Sequence, residues 1–70
     1  MTKEQIDNIF TYHAPFGTQQ ARYILIREKA KELAYLINEK CHESREKSLA
    51  LTNLQQSVQM ANASIAINEK

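Results

Sequence analysis

The only proline and the only glycine of this chain stand two positions apart, in Pro15-Phe16-Gly17, so residues 18–70 run without either of the residue types that most readily break a helix. Within that stretch Tyr23, Ile26, Ala30, Leu33 and Ile37 recur at alternating spacings of three and four, which is the signature of one apolar stripe on a helix. With Thr18 as N-cap, the pattern predicts a first long helix over 19–40. Cys41-His42-Glu43 interrupts it, Ser44 can cap a new start, and Leu51, Leu54, Val58, Ala61 and Ile65 repeat the same spacing. These predict a second long helix over 45–68. So short a connection makes the two helices antiparallel neighbours. Before the breaker, Ile6, Ile9 and Phe10 predict a short amphipathic helix over 3–10, which is too short to stand alone and must dock on the rest. The expected fold is all-α: a single domain over 1–70, made of a short N-terminal helix plus an antiparallel helical hairpin.

Seventy residues bury little apolar surface, and small domains of this size need help to be stable. Disulfides cannot supply it, because Cys41 is the only cysteine. Self-association can. Apolar residues also line up away from the main stripes: Leu49, Met60 and Ile67 on the back of the second long helix, Leu25 and Leu36 on a flank of the first. A lone hairpin would leave them wet, and aligned exposed apolar residues point to a subunit interface, hence to a compact homo-oligomer. Hydrophobic residues at 43% against 24% charged describe a chain that folds rather than stays disordered.

The polar start Met1-Thr2-Lys3-Glu4-Gln5 carries an acid, unlike a secretory signal or a transit peptide, and no apolar run reaches membrane-spanning length. The expectation is a soluble, intracellular protein with no membrane partner. A formal net charge of +1 is far from the strong basicity of proteins that coat nucleic-acid phosphates, so DNA is not an expected partner. A small ligand with two or three phosphates needs only a local cluster of cations.

Catalytic chemistry is not represented. His13, His42 and Cys41 lack the ligand number and spacing of a zinc site, the serines have no nucleophile-elbow context, and no glycine loop is available to cradle a phosphate. We expect no metal, no cofactor and no enzyme. Binding chemistry is better represented. Phe10-Thr11-Tyr12-His13-Ala14-Pro15 gathers aromatic rings, a hydroxyl and an imidazole just before the breaker, where Tyr12 can stack on a purine. From residue types alone, Phe10 and Tyr12 can as well be anchors that pin the N-terminal segment to the hairpin. Lys29 can pair with Glu32, Lys31 with Glu28 and Lys47 with Glu43, whereas Arg22, Arg27 and Arg45 have no carboxylate at helical spacing. Arg27 and Lys31, one turn apart at the border of the first core stripe, are placed to meet a phosphate from a pocket edge, or simply to be solvated.

Three stretches in order carry a resemblance: Phe10-Thr11-Tyr12-His13-Ala14-Pro15; Arg22-Tyr23 through Ile26-Arg27 to Ala30-Lys31-Glu32-Leu33-Ala34; and Ser44-Arg45-Glu46-Lys47-Ser48-Leu49-Ala50-Leu51-Thr52 running to Ala61-Asn62-Ala63-Ser64-Ile65-Ala66. Over residues 8–69 the chain resembles the phage anti-CBASS type 2 proteins, small cyclic-nucleotide sponges. The resemblance implies a homohexamer that sequesters, without cleaving, cyclic dinucleotides such as 3′,3′-cyclic GMP-AMP in the host bacterial cytoplasm during infection. It implies pockets shared between protomers, with Tyr12 stacking on the base and Arg27 or Lys31 at the phosphate, and His13 and Pro15 are the other candidate ligand-binding residues. It also implies a second site, for cyclic trinucleotides, which would draw on Arg45, Ser48 and Asn62. The related pattern has an aromatic residue at Met60 and a cation at or beside Ile67; this chain departs at both, which weakens the implied trinucleotide site and leaves the dinucleotide pockets untouched. The rival readings are a self-assembling interaction module without a small-molecule ligand and, more weakly, a small DNA-binding regulator.

Overall fold

In a computed structural model, which describes residues 1–12 and 14–69, the chain forms α1 (Lys3–Ile9), α2 (Gln19–Lys40) and α3 (Arg45–Asn68). Among the described residues there is no strand. α2 and α3 pack along each other as a hairpin, and α1 lies beside the C-terminal end of α3. The whole measures 45 × 28 × 13 Å, elongated and flat. Its radius of gyration is 15.3 Å, against about 11 Å for a compact domain of this length.

Local chemistry explains the element ends. Thr2 and Gln5 form a reciprocal capping box on α1, the Thr2 hydroxyl accepting from the Gln5 N–H at 3.1 Å and the Gln5 side chain from the Thr2 N–H at 2.7 Å. Phe10 caps that helix at its C-terminal end. The Ser44 hydroxyl caps α3 by accepting from the Lys47 N–H at 3.1 Å. Thr18 stands at the N-cap position of α2 but makes no side-chain cap bond; its hydroxyl accepts instead from the Arg22 guanidinium at 3.1 Å. Gly17 adopts φ +56°, a left-handed conformation that lets the chain turn from the N-terminal segment into α2.

The α2–α3 seam buries little. Among the described residues Ile65 is the one buried apolar side chain, while Ile26, Ile37, Leu51, Leu54 and Val58 of the two stripes are half-buried and Leu33 is exposed. Leu25, Leu36, Leu49 and Met60, the residues aligned off the stripes, are exposed in the single chain. Ile67 is half-buried instead, because α1 lies over it.

Two polar side chains take interior positions that apolar ones do not fill: Gln19, 2% exposed, and Lys47, 7% exposed. Lys47 closes the loop end of the hairpin. Its ammonium donates to the Asn38 carbonyl at 2.9 Å, in the last turn of α2, and to the Glu43 carboxylate. The expected Lys47–Glu43 pair is therefore made, but by a buried lysine rather than a surface one. Glu43 itself is solvated, so the carbonyl bond and the packed stem carry most of the effect. Lys47→Ala is expected to destabilise the fold by about 1–3 kcal/mol, and Glu43→Gln by about 0.5 kcal/mol or less, both read from urea unfolding followed by circular dichroism.

Candidate functional site

The cations singled out in the sequence separate into engaged and free groups. Arg22 is engaged, across the fold: its guanidinium grips the Glu69 carboxylate with both arms, at 2.8 and 2.5 Å. No local spacing signals that pair, since the partners stand 47 positions apart. Lys29 pairs with Glu32 at 3.5 Å. Lys31 does not pair with Glu28, and among the described residues Arg27, Lys31 and Arg45 form no ion pair.

Two of these free cations meet in one place. Arg27 and Lys31, one turn apart on α2, line a groove of about 380 Å³ along the hairpin. Its apolar lining comes from Ala30 and Ala34 of α2 and from Leu51, Leu54 and Val58 of α3; Gln55 and Gln59 add amides from the α3 side. The trough itself is almost wholly apolar, and the two cations on its border, unpaired among the described residues, favour an anionic ligand at its edge. A second groove, of about 320 Å³, is bordered by Ile26, Leu33, Ser57 and Ala61. It is as apolar as the first, and the cation on its border, Lys29, is paired with Glu32.

Tyr12 is 85% exposed and Phe10 83% exposed. The anchoring role open to them in the sequence is therefore not played within a single chain: neither ring is packed on the hairpin. Pro15 is also exposed, and His13 lies outside the described residues. Tyr12 does not line the Arg27–Lys31 groove. Arg27 stands eight residues into α2 from Gln19, about 12 Å along the axis, so one protomer presents the ring and the cations as separate features. Arg45 and Ser48 are exposed at the start of α3, whereas Asn62 lies 17 residues beyond Arg45, or about 26 Å along the helix. One protomer does not bring those three together. Asn62 carries a buried side-chain oxygen with no hydrogen-bond partner.

Sequence reasoning missed the polar contacts that place the N-terminal segment. Carbonyls at the C-terminal end of a helix run short of backbone partners, and here distant side chains bond to them, at Ile65 in addition to the Glu69 backbone N–H. Asn8 donates its amide to the Ile67 carbonyl at 2.9 Å, and Gln19 donates to the Ile65 and Glu69 carbonyls, each at 3.4 Å. Nothing in the local pattern distinguishes these amides from solvated ones. Among the described residues no cluster of metal-ligating side chains occurs, and Cys41 is an exposed free thiol. No helix is long and apolar enough to cross a membrane among the described residues.

Compared with known protein families, residues 2–66 match the model described as Acb2/Tad1, hairpin domain. No curated protein and no solved structure shows a match.

The Arg22–Glu69 pair has a pH signature. The hydrogen bonds from Arg22, opposed by partial desolvation and aided by the guanidinium charge, hold the Glu69 carboxyl below its ordinary range; the same bonds raise Arg22 above its own. A carboxyl depressed in the folded state stabilises the fold above its unfolded pKa, about 4.3 for glutamate, and that contribution is lost as pH falls through the lower folded value. The pair is partly exposed, so the contribution is modest. Glu69→Gln is expected to lower the melting temperature near neutral pH, with the gap to the unsubstituted protein closing below about pH 4, as read by thermal unfolding across that range.

Proposed function

The chain belongs to the Acb2/Tad1 hairpin-domain family, and from that membership we propose that it binds cyclic dinucleotide second messengers and holds them without cleavage. The effect would be to withhold the activator of a bacterial CBASS antiphage response inside the infected host cell. The observation that carries the reading is the pair of unpaired cations, Arg27 and Lys31, one turn apart on a groove with an apolar lining. A cyclic dinucleotide presents two phosphodiester charges on a rigid ring and two flat bases. Arg27 can meet a phosphate through its planar fork and Lys31 as a point charge, while an exposed Tyr12 offers a face for a base.

On this reading the site is composite. Tyr12, with His13 and Pro15 beside it, would be brought by one protomer to the groove of another, which agrees with its separation from Arg27 and Lys31 within one chain. The exposed Leu25, Leu36, Leu49 and Met60 supply apolar surface for such an assembly, and we propose a homohexamer. Cyclic trinucleotides would occupy a second site that draws on Arg45, Ser48 and Asn62 across subunits, since these residues are too far apart within one. Sequestration requires affinity alone, and the reading assigns no step of bond cleavage. The same exposed apolar residues also support a self-assembling interaction module with no small-molecule ligand.

Titration calorimetry with 3′,3′-cyclic GMP-AMP separates the two. The expected result is tight binding, recovery of intact nucleotide on denaturation, and a loss of affinity of about tenfold or more in Tyr12→Ala, with a comparable loss in Arg27→Ala or Lys31→Ala identifying the phosphate contact. Absence of binding to cyclic di- and trinucleotides overturns the proposal and leaves the interaction module. Sedimentation equilibrium is expected to give a mass several times that of the 8.1 kDa chain, reduced by Met60→Glu.

A further inference from the structure

Among the described residues between the end of α1 and the first turn of α2 there is no helix or strand, and the large side chains Phe10 and Tyr12 stand in solvent. Hydrophobic packing therefore does not determine where the Tyr12 ring is presented. The segment is held at its two ends instead. Upstream, Asn8 ties α1 to the Ile67 carbonyl, and the Thr11 hydroxyl donates back to the Asp7 carbonyl of α1. Downstream, Gln19 does more.

Gln19 is 2% exposed, and a buried amide is costly unless its hydrogen bonds are made. Here both ends of the amide are used. Its oxygen accepts from the Phe16 N–H at 3.2 Å, while its own backbone N–H donates to the Phe16 carbonyl at 3.0 Å, so Phe16 is clasped from both sides of its backbone. Its nitrogen reaches the Ile65 and Glu69 carbonyls at the end of α3. One turn further on, Arg22 holds the Glu69 carboxylate and keeps that end of α3 in register with α2. The amide thus couples the backbone just after Pro15 to the end of the opposite helix.

We infer that Gln19 is the positioning residue of the ligand-binding arm: it fixes the backbone at Phe16 against the α3 terminus and so sets where Tyr12 is presented. The inference rests on the reading of Tyr12 as a base-stacking residue, and deepens it. Gln19 has no contact with ligand in this scheme and acts through the arm alone.

Two readouts on the full chain test it, one of which needs no nucleotide. Gln19→Met keeps the length and burial of the side chain and removes its hydrogen bonds. In the free protein it is expected to speed chymotrypsin cleavage after Phe10, Tyr12 or Phe16 about tenfold, with cleavage at Tyr35 in the middle of α2 unchanged. In titrations with 3′,3′-cyclic GMP-AMP, it is expected to weaken binding about tenfold when Tyr12 is present and to have no further effect in Tyr12→Ala. An unchanged cleavage rate overturns the inference, as does an equal loss of affinity in both backgrounds, which is what a general structural defect would produce. If the unsubstituted protein binds no nucleotide, the functional reading falls, and the cleavage rates alone decide whether Gln19 holds the arm. Should Gln19→Met fail to fold, Gln19→Asn keeps a neutral amide but is one methylene too short to span from Phe16 to the end of α3, and the same two readouts apply.

Discussion

Two helices lying side by side can hide only the strip along which they touch. At 13 Å in its thinnest dimension this chain is flat, and apart from α1 beside Ile67 no further helix covers the hairpin among the described residues. The half-buried stripes and the single buried apolar side chain, Ile65, follow directly from that geometry. The alignment of the hairpin must then be specified by directional contacts at its two ends. At the loop end Lys47 reaches back to the Asn38 carbonyl; at the open end Gln19 and Arg22 hold the terminus of α3. Each of these bonds is made to a backbone carbonyl or a carboxylate of the facing element, and each joins elements that a thin apolar seam would let slide.

The same geometry shapes the functional surface. Because the seam is shallow, its flanks remain open as grooves, and the cations beside them are accessible. Arg27 and Lys31 are held on a long helix, a rigid support whose spacing of one turn is set by the backbone. Tyr12 lies instead on a short irregular segment, where its ring gains no packing within the chain. A ligand that bridges a rigid cationic groove and an aromatic arm would use both, and the proposed sponge activity is of that kind. It demands tight holding of a charged ring and no chemistry on it.

Individual residues show what could be read beforehand and what could not. The all-α character was legible because its signals are local: one breaker, alternating spacings of three and four, and a serine at a helix start. The border position of Arg27 and Lys31 was legible for the same reason, since residues one turn apart share a face wherever the helix goes. Arg22 read as unmatched because its carboxylate is 47 positions away. Lys31 read as a partner for Glu28, yet the side chain remains unpaired, since helical spacing permits an ion pair without compelling it. Thr18 occupies the cap position and turns its hydroxyl to Arg22, a competition between acceptors that propensity does not resolve.

The sequence by itself determined that this chain is helical, where it breaks, and which residues share a face, because those properties depend on contacts within a turn or two of backbone. Only the tertiary structure decided that Gln19 and Lys47 are buried, that Arg22 is held by Glu69, and that Tyr12 stands apart from the groove of its own chain. The difference is physical. A polar side chain has no preferred partner until folding brings a carbonyl or a carboxylate within about 3 Å of it, and which group arrives depends on how distant elements meet.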